Sequence, residues 1–280
     1  MSSVLENSLY EKQKQRYEHL NKTVHIFTNE YCGNSIIKDN IFAVIENYAR
    51  KKEIPLELLR YPIHDEELWA MTFLKQGTIF ACINSELALC KQFFAAAHEL
   101  YHIYCYAEDA DQSYIKNGSM LDSDTANETG KTQEDLEANA FAGLVLMPEQ
   151  LLQNQISLFG IDKTNMTVDS VLTLMDMFAM PYKAVVMRLY ECKYISNQQA
   201  NRLLDVKTGE VNKRISLTGK AKRWQLDGTG TESFGTLLEK VDYNVRHGYL
   251  TESREREDLS YIADLKKKYC LDREASDESE

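Results

Sequence analysis

Phe93-Phe94-Ala95-Ala96-Ala97-His98-Glu99-Leu100-Tyr101-His102 contains neither glycine nor proline and is rich in helix formers, so it reads as a helix. Along that helix His98 and His102 lie four residues apart and share a face, which lets both imidazoles reach one metal ion. Glu99 follows the first histidine, where a carboxylate can take a proton from water in the open metal position. Leu100, Ile103 and Tyr104 continue an apolar stripe of helical period, which predicts that the helix is buried. Two histidines beside a surface glutamate would also fit an ordinary helix, so a third ligand elsewhere in the chain has to decide.

The stretch Gln133-Glu134-Asp135-Leu136-Glu137-Ala138-Asn139-Ala140-Phe141-Ala142-Gly143-Leu144-Val145-Leu146-Met147-Pro148 starts polar, turns apolar and is stopped by proline. Glu134, Glu137 and Phe141 are spaced by three and four, so either glutamate can face a metal while Leu144 and Val145 reach the core. Acids at a helix start also suit the helix dipole and need no metal for that.

The run Phe94 to His102, followed by Glu137-Ala138-Asn139-Ala140-Phe141-Ala142 and Leu146-Met147-Pro148, resembles the ImmA/IrrE family of bacterial zinc metallopeptidases. That family pairs an "AHELxH" helix with a second helix reading "EAN.FA..LLMP", and Ile83-Asn84 is similar to its strand entering the site. The resemblance spans residues 40–200 and implies an α+β fold with a zincin-like peptidase core. It implies one Zn2+ per chain held by His98, His102 and Glu137, with Glu99 as catalytic base. Glu134 stays the alternative ligand. Tyr101 stands where the family usually has glycine, so the packing around the motif should differ. The implied biology is cleavage of a helix-turn-helix transcriptional repressor linked to a prophage, a mobile element or a stress response. The competing expectation is an antirepressor or antitoxin-like protein of the same fold that binds without cutting.

A chain of 280 residues with 44% hydrophobic content can bury a substantial core. No apolar run is long enough to cross a bilayer, and the polar start from Met1 to Asn7 lacks the regions of a signal peptide, so a cytoplasmic protein is expected. Cys32, Cys82, Cys90, Cys105, Cys192 and Cys270 are dispersed with no CxxC pair, which predicts reduced thiols. A net charge of −11 argues against general affinity for nucleic acid or anionic membrane. From Glu108 to Glu137 acids far outnumber Lys116 and Lys131, which predicts a solvated acidic loop that could steer a basic substrate segment.

The pattern divides the chain into a polar N-terminal extension (1–35), a peptidase core (36–150), a helix-turn-helix-like module (151–205), a helical C-terminal part (206–271) and a disordered acidic tail (272–280). Ile41, Val44, Ile45 and Tyr48 predict a helix from Asn40 to Lys52. Short β-prone runs at 54–56, 68–74 and 78–84 predict a small sheet beside the motif helix, with a hairpin at Gly77. If the last run were an edge strand, Thr78, Phe80, Cys82 and Asn84 could bind substrate as an added strand. Thr167 and Ser196 read as helix caps and Met180-Pro181 as a break. Acidic and basic residues balance between Glu149 and Asp205, so this helical module is expected to pack rather than to bind DNA. Lys220, Lys222 and Arg223 form a small basic cluster near Trp224, and Gly228-Thr229-Gly230 reads as a turn too short for a nucleotide loop.

Overall fold

The computed structural model describes residues 3–33, 35–108, 119–122, 132–218, 228–230 and 233–277. Its described elements form a small mixed sheet with helices packed against it, an α+β arrangement. Most of the acidic loop and all of the basic cluster at Lys220, Lys222, Arg223 and Trp224 lie outside the described residues.

Strands β1 (Leu56–Tyr61), β2 (Leu68–Lys75), β3 (Thr78–Asn84), β4 (Ser119–Asp122) and β5 (Ser233–Phe234) stand in the order β4-β2-β3-β1-β5. β2 and β3 make the expected hairpin, closed by Gln76 and Gly77 at φ of 51° and 78°. Positive φ at both turn positions matches the twist of a two-residue hairpin, and glycine adopts it without strain. β3 runs parallel to β1 and antiparallel to β2, so it is hydrogen-bonded on both sides. The expectation of an edge strand at Thr78–Asn84 is therefore corrected: β3 is central and cannot accept a further strand. The described outer strands are β4 and β5.

Helix α5 (Leu89–Glu108) follows β3 and carries the histidine motif against β2 and β3. Ala95, Ala96 and Ala97 are fully buried, and their small side chains let the helix lie close to its neighbours. Helix α6 (Gln133–Leu146) packs beside α5 and is buried on every side from Leu136 onward. Thr132 caps it, accepting from the Asp135 backbone N–H while Asp135 accepts from the Thr132 backbone N–H, before the helix ends ahead of Pro148.

The N-terminal extension is helical: α1 (Ser3–Glu6), α2 (Leu9–Lys12) and α3 (Lys14–Tyr31) bury Leu5, Leu9, Tyr17, Leu20, Val24 and Phe27. Helix α4 (Ile41–Lys51) appears where periodicity placed it. Beyond α6 come α7 (Glu149–Leu158), α8 (Val168–Phe178), α9 (Tyr182–Glu191), α10 (Asn197–Leu204) and α11 (Thr208–Leu217). Thr167 and Ser196 cap α8 and α10 as expected, and α8 stops at Ala179 before Pro181 starts α9. Helices α12 (Leu237–Arg246) and α13 (Glu252–Asp277) follow β5, and α13 continues into the stretch read from composition as an acidic tail. Among the described residues no single helix is long and apolar enough to cross a membrane.

The C-terminal segment is lashed to the sheet. The backbone N–H groups of Thr229 and Gly230 donate to the Ser85 carbonyl at 2.9 and 3.0 Å. A side chain at Gly228 would put Cβ 2.0 Å from the Glu86 carbonyl oxygen, so only glycine fits this crossing. β5 then pairs with β1, and Glu57 accepts from the backbone N–H of Thr236 at 2.8 Å and from its hydroxyl at 2.7 Å.

Candidate active site

Helix α5 brings His98 and His102 together with ring centroids 5.1 Å apart, and both are almost wholly buried. Buried polar rings need partners, and α6 supplies them. Nδ1 of His98 lies 3.0 Å from Oδ1 of Asn139, and Nδ1 of His102 lies 2.6 Å from Oε1 of Glu134. An amide oxygen and a carboxylate oxygen accept, so each ring donates its Nδ1–H, and Nε2 is the nitrogen that can offer a lone pair. Nε2 of His98 is buried with no hydrogen-bond partner. This tautomer and orientation are what a metal-ligating histidine requires from its surroundings.

Glu99 is fully buried, and neither carboxylate oxygen has a hydrogen-bond partner. Burial raises its pKa above the ordinary value; His102 and the hydroxyl of Thr72 pull the other way without prevailing. Thr72, fully buried on β2, lies beside Glu99. Burial likewise pushes His98 well below its usual range, with His102 adding to the effect. For His102 burial also acts downward, but Glu134, Glu99 and Asp135 outweigh it and lift the ring above its ordinary value. An unsatisfied carboxylate beside two oriented rings in a buried setting is costly to keep, and a cation in their midst would offset that cost.

The residues read from the sequence are placed as follows. His98, Glu99 and His102 come together, and Glu134, the alternative ligand, joins them at His102. Glu137 is held elsewhere: it accepts from the Tyr101 hydroxyl at 2.5 Å and from Gln133 Nε2 at 2.9 Å, and it pairs with Arg16. Tyr101, in place of the glycine of the resemblance, fills the space between α5 and α6, with its ring 5.5 Å from that of Phe141. Asp135 was given no site role by sequence reasoning, yet with Glu134 it is the α6 acid whose charge acts on both Glu99 and His102. Asp135 and Asn139 repeat the four-residue spacing of the two histidines, and that was the available signal. Among the described residues the side chains do not close into a group of three ligands.

The β3 residues have structural duties. Phe80 stacks on Phe73 with centroids 5.3 Å apart. Burial, with a smaller contribution from Glu99, pushes the Cys82 thiol up to about 11, so it is protonated at neutral pH. Asn84 is fully buried and ties down the loop between β1 and β2, donating to the carbonyls of Ile63, Asp65 and Leu68. Thr78 opens the strand opposite Lys75 across the hairpin.

Residues 52–190 match the family model Peptidase_M78, described as the IrrE N-terminal-like domain. The match begins at the end of α4 and ends within α9, so it contains the whole site. No curated protein matches the chain at a significant level.

Proposed function

The chain belongs, through residues 52–190, to the metallopeptidase-like IrrE N-terminal-like family, and from that premise we propose that it is a zinc-dependent endopeptidase. The observation that carries the reading is the pairing of oriented histidines with an unsatisfied base. Nδ1 of each ring is taken by an α6 side chain, while His98 Nε2 and both Glu99 oxygens are buried without partners. Two imidazoles and a nearby carboxylate are a donor set suited to zinc.

His98 and His102 would hold the metal, with their rings fixed by Asn139 and Glu134. The third ligand in this reading is Asp135, one helical turn before Asn139 on the same face of α6, through the carboxylate oxygen that the Thr132 cap does not use. When bound, zinc would supply Lewis acidity, acidifying water and polarising a peptide carbonyl. Glu99 accepts the proton of the water that attacks the carbonyl and delivers it to the amine as the peptide bond breaks. The buried setting, with Thr72 beside Glu99, keeps bulk water from competing for that proton. The substrate proposed is a helix-turn-helix repressor, a proposal that rests on the resemblance of the two motif helices.

The test is incubation of the full chain with the product of the neighbouring gene, with and without a chelator, followed by mass mapping of fragments. Zinc-dependent fragments that vanish in a Glu99→Gln variant retaining its zinc are expected. Cleavage that persists in that variant overturns the mechanism. A repressor bound but left intact by the zinc-loaded wild type supports the non-cleaving reading instead.

A further inference from the structure

Helix α3 precedes the family-matched segment, yet it packs along α6, the helix that completes the candidate site. Its point of attachment is Glu137, whose side chain is only 9% exposed. That carboxylate joins three helices. Arg16 reaches it from α3, Tyr101 donates to it from the motif helix at 2.5 Å, and Gln133 donates from the preceding turn of α6 at 2.9 Å. Gln13, the N-cap residue of α3, meets Gln133 one turn before Glu137, so the start of α3 grips the first two turns of α6 at two places.

The other end of α6 is fixed through the next residue of α3. Arg188 Nη1 donates to the Tyr17 hydroxyl at 2.7 Å, and that hydroxyl donates to Glu191 at 2.8 Å. Arg188 also donates to the carbonyl of Met147, which caps the C-terminal end of α6. Both ends of α6 therefore answer to α3.

The phase of α6 matters because its acids divide between two tasks. Successive helix residues turn by about 100°, so Asp135 and Glu137 point about 200° apart. Any rotation that let Glu137 escape its enclosure would swing Glu134 and Asn139 off His102 and His98. Arg16 provides the only cationic partner shown for Glu137 among the described residues. A carboxylate this enclosed is costly to leave with neutral partners alone.

We propose that Arg16 is a positioning residue: by clamping Glu137 it sets the rotation of α6, so that Glu134 meets His102 and Asn139 meets His98. The N-terminal helices are then part of the metal centre's support. This inference rests on the metal-centre reading above.

The test uses full-length wild type, Arg16→Ala, Arg16→Lys and Glu137→Gln, with zinc affinity measured by competition against a chromogenic chelator and thermal midpoints measured without metal. Arg16→Ala is expected to weaken zinc binding roughly tenfold, the lower end for partners that support ligands. Arg16→Lys is expected to recover most of the loss, because it keeps the charge. Glu137→Gln placed on Arg16→Ala should cost less than it does in the wild type, since the ion pair the two residues share is already gone. A lower thermal midpoint with unchanged zinc affinity in Arg16→Ala makes the contact merely structural and overturns the proposal. Complete loss of zinc in Glu137→Gln makes Glu137 a ligand and also overturns it. Wild type that binds no zinc instead removes the underlying metal-centre reading, a result separable from both.

Discussion

Oε1 of Glu134 lies 2.6 Å from Nδ1 of His102, so a carboxylate takes the ring N–H and Nε2 is the atom that the proposed metal would use. Such a partner makes the ring a better base and fixes its orientation. Glu134→Gln is expected to weaken zinc binding by about 10–100-fold while leaving a measurable site. Asp135→Asn, which removes the proposed ligand itself, should cost more. Competition titration of the two variants checks the assignment, and the reverse order would exchange their roles.

Asn139 acts on the other ring, with Oδ1 3.0 Å from Nδ1 of His98. Asn139→Ala leaves a fully buried ring N–H without that acceptor, a cost of about 1–3 kcal/mol. A lower thermal midpoint and a lower kcat are expected together. Asn139→Asp keeps an acceptor in place and should retain zinc, which metal analysis of the purified variant would check.

What could be foreseen in these sites follows from distance along the chain. His98, Glu99 and His102 sit within two turns of one helix, so their spacing already encodes their geometry. The caps at Thr132, Thr167 and Ser196 are equally local, each fixed by contacts within four residues. The phase of α6 is not local. Glu134, Asp135 and Glu137 crowd the same first turns, and the partners that separate Glu134 from Glu137, His102 for the one and Tyr101 and Arg16 for the other, lie far away in sequence. β3 shows the same limit: β-prone residues reveal that Thr78–Asn84 is a strand, but its central place depends on β1 pairing beside it. β5 is two residues long and carries no periodicity to read.

Arg188 and Glu191 form a buried pair, each side chain 3% exposed, closed by Tyr17 and the Met147 carbonyl. Arg188→Met removes the cation and leaves Glu191 buried, which should destabilise the fold by about 3–5 kcal/mol. Replacing Glu191 by Leu in the same chain should restore part of that loss, because the uncompensated charge is gone. Urea denaturation of the single and double variants measures both. Gly143 belongs to the same arrangement: a Cβ there would sit 2.9 Å from Arg188 Cδ, so Gly143→Ala is expected to destabilise by displacing the arginine.

Glu57 gives the C-terminal segment a dependence on pH. Burial alone would raise its carboxyl, but Lys240 together with the N–H and hydroxyl of Thr236 outweighs burial and holds it below the ordinary value of 4.5. A depressed pKa in the folded state means that the unfolded chain binds the proton more readily. The stabilisation is therefore complete above the unfolded value and is lost as pH falls through the folded one. Lowering the pH from about 7 to about 3 should release the N–H of Thr236 and the β5 pairing before α5 and α6 open, because local units unfold at their own free energies. Hydrogen exchange followed by mass spectrometry reads this as faster exchange at 233–240. Glu57→Gln should show fast exchange there already at neutral pH and little further change on acidification. Identical pH profiles for the variant and the wild type would show that Glu57 is not the latch.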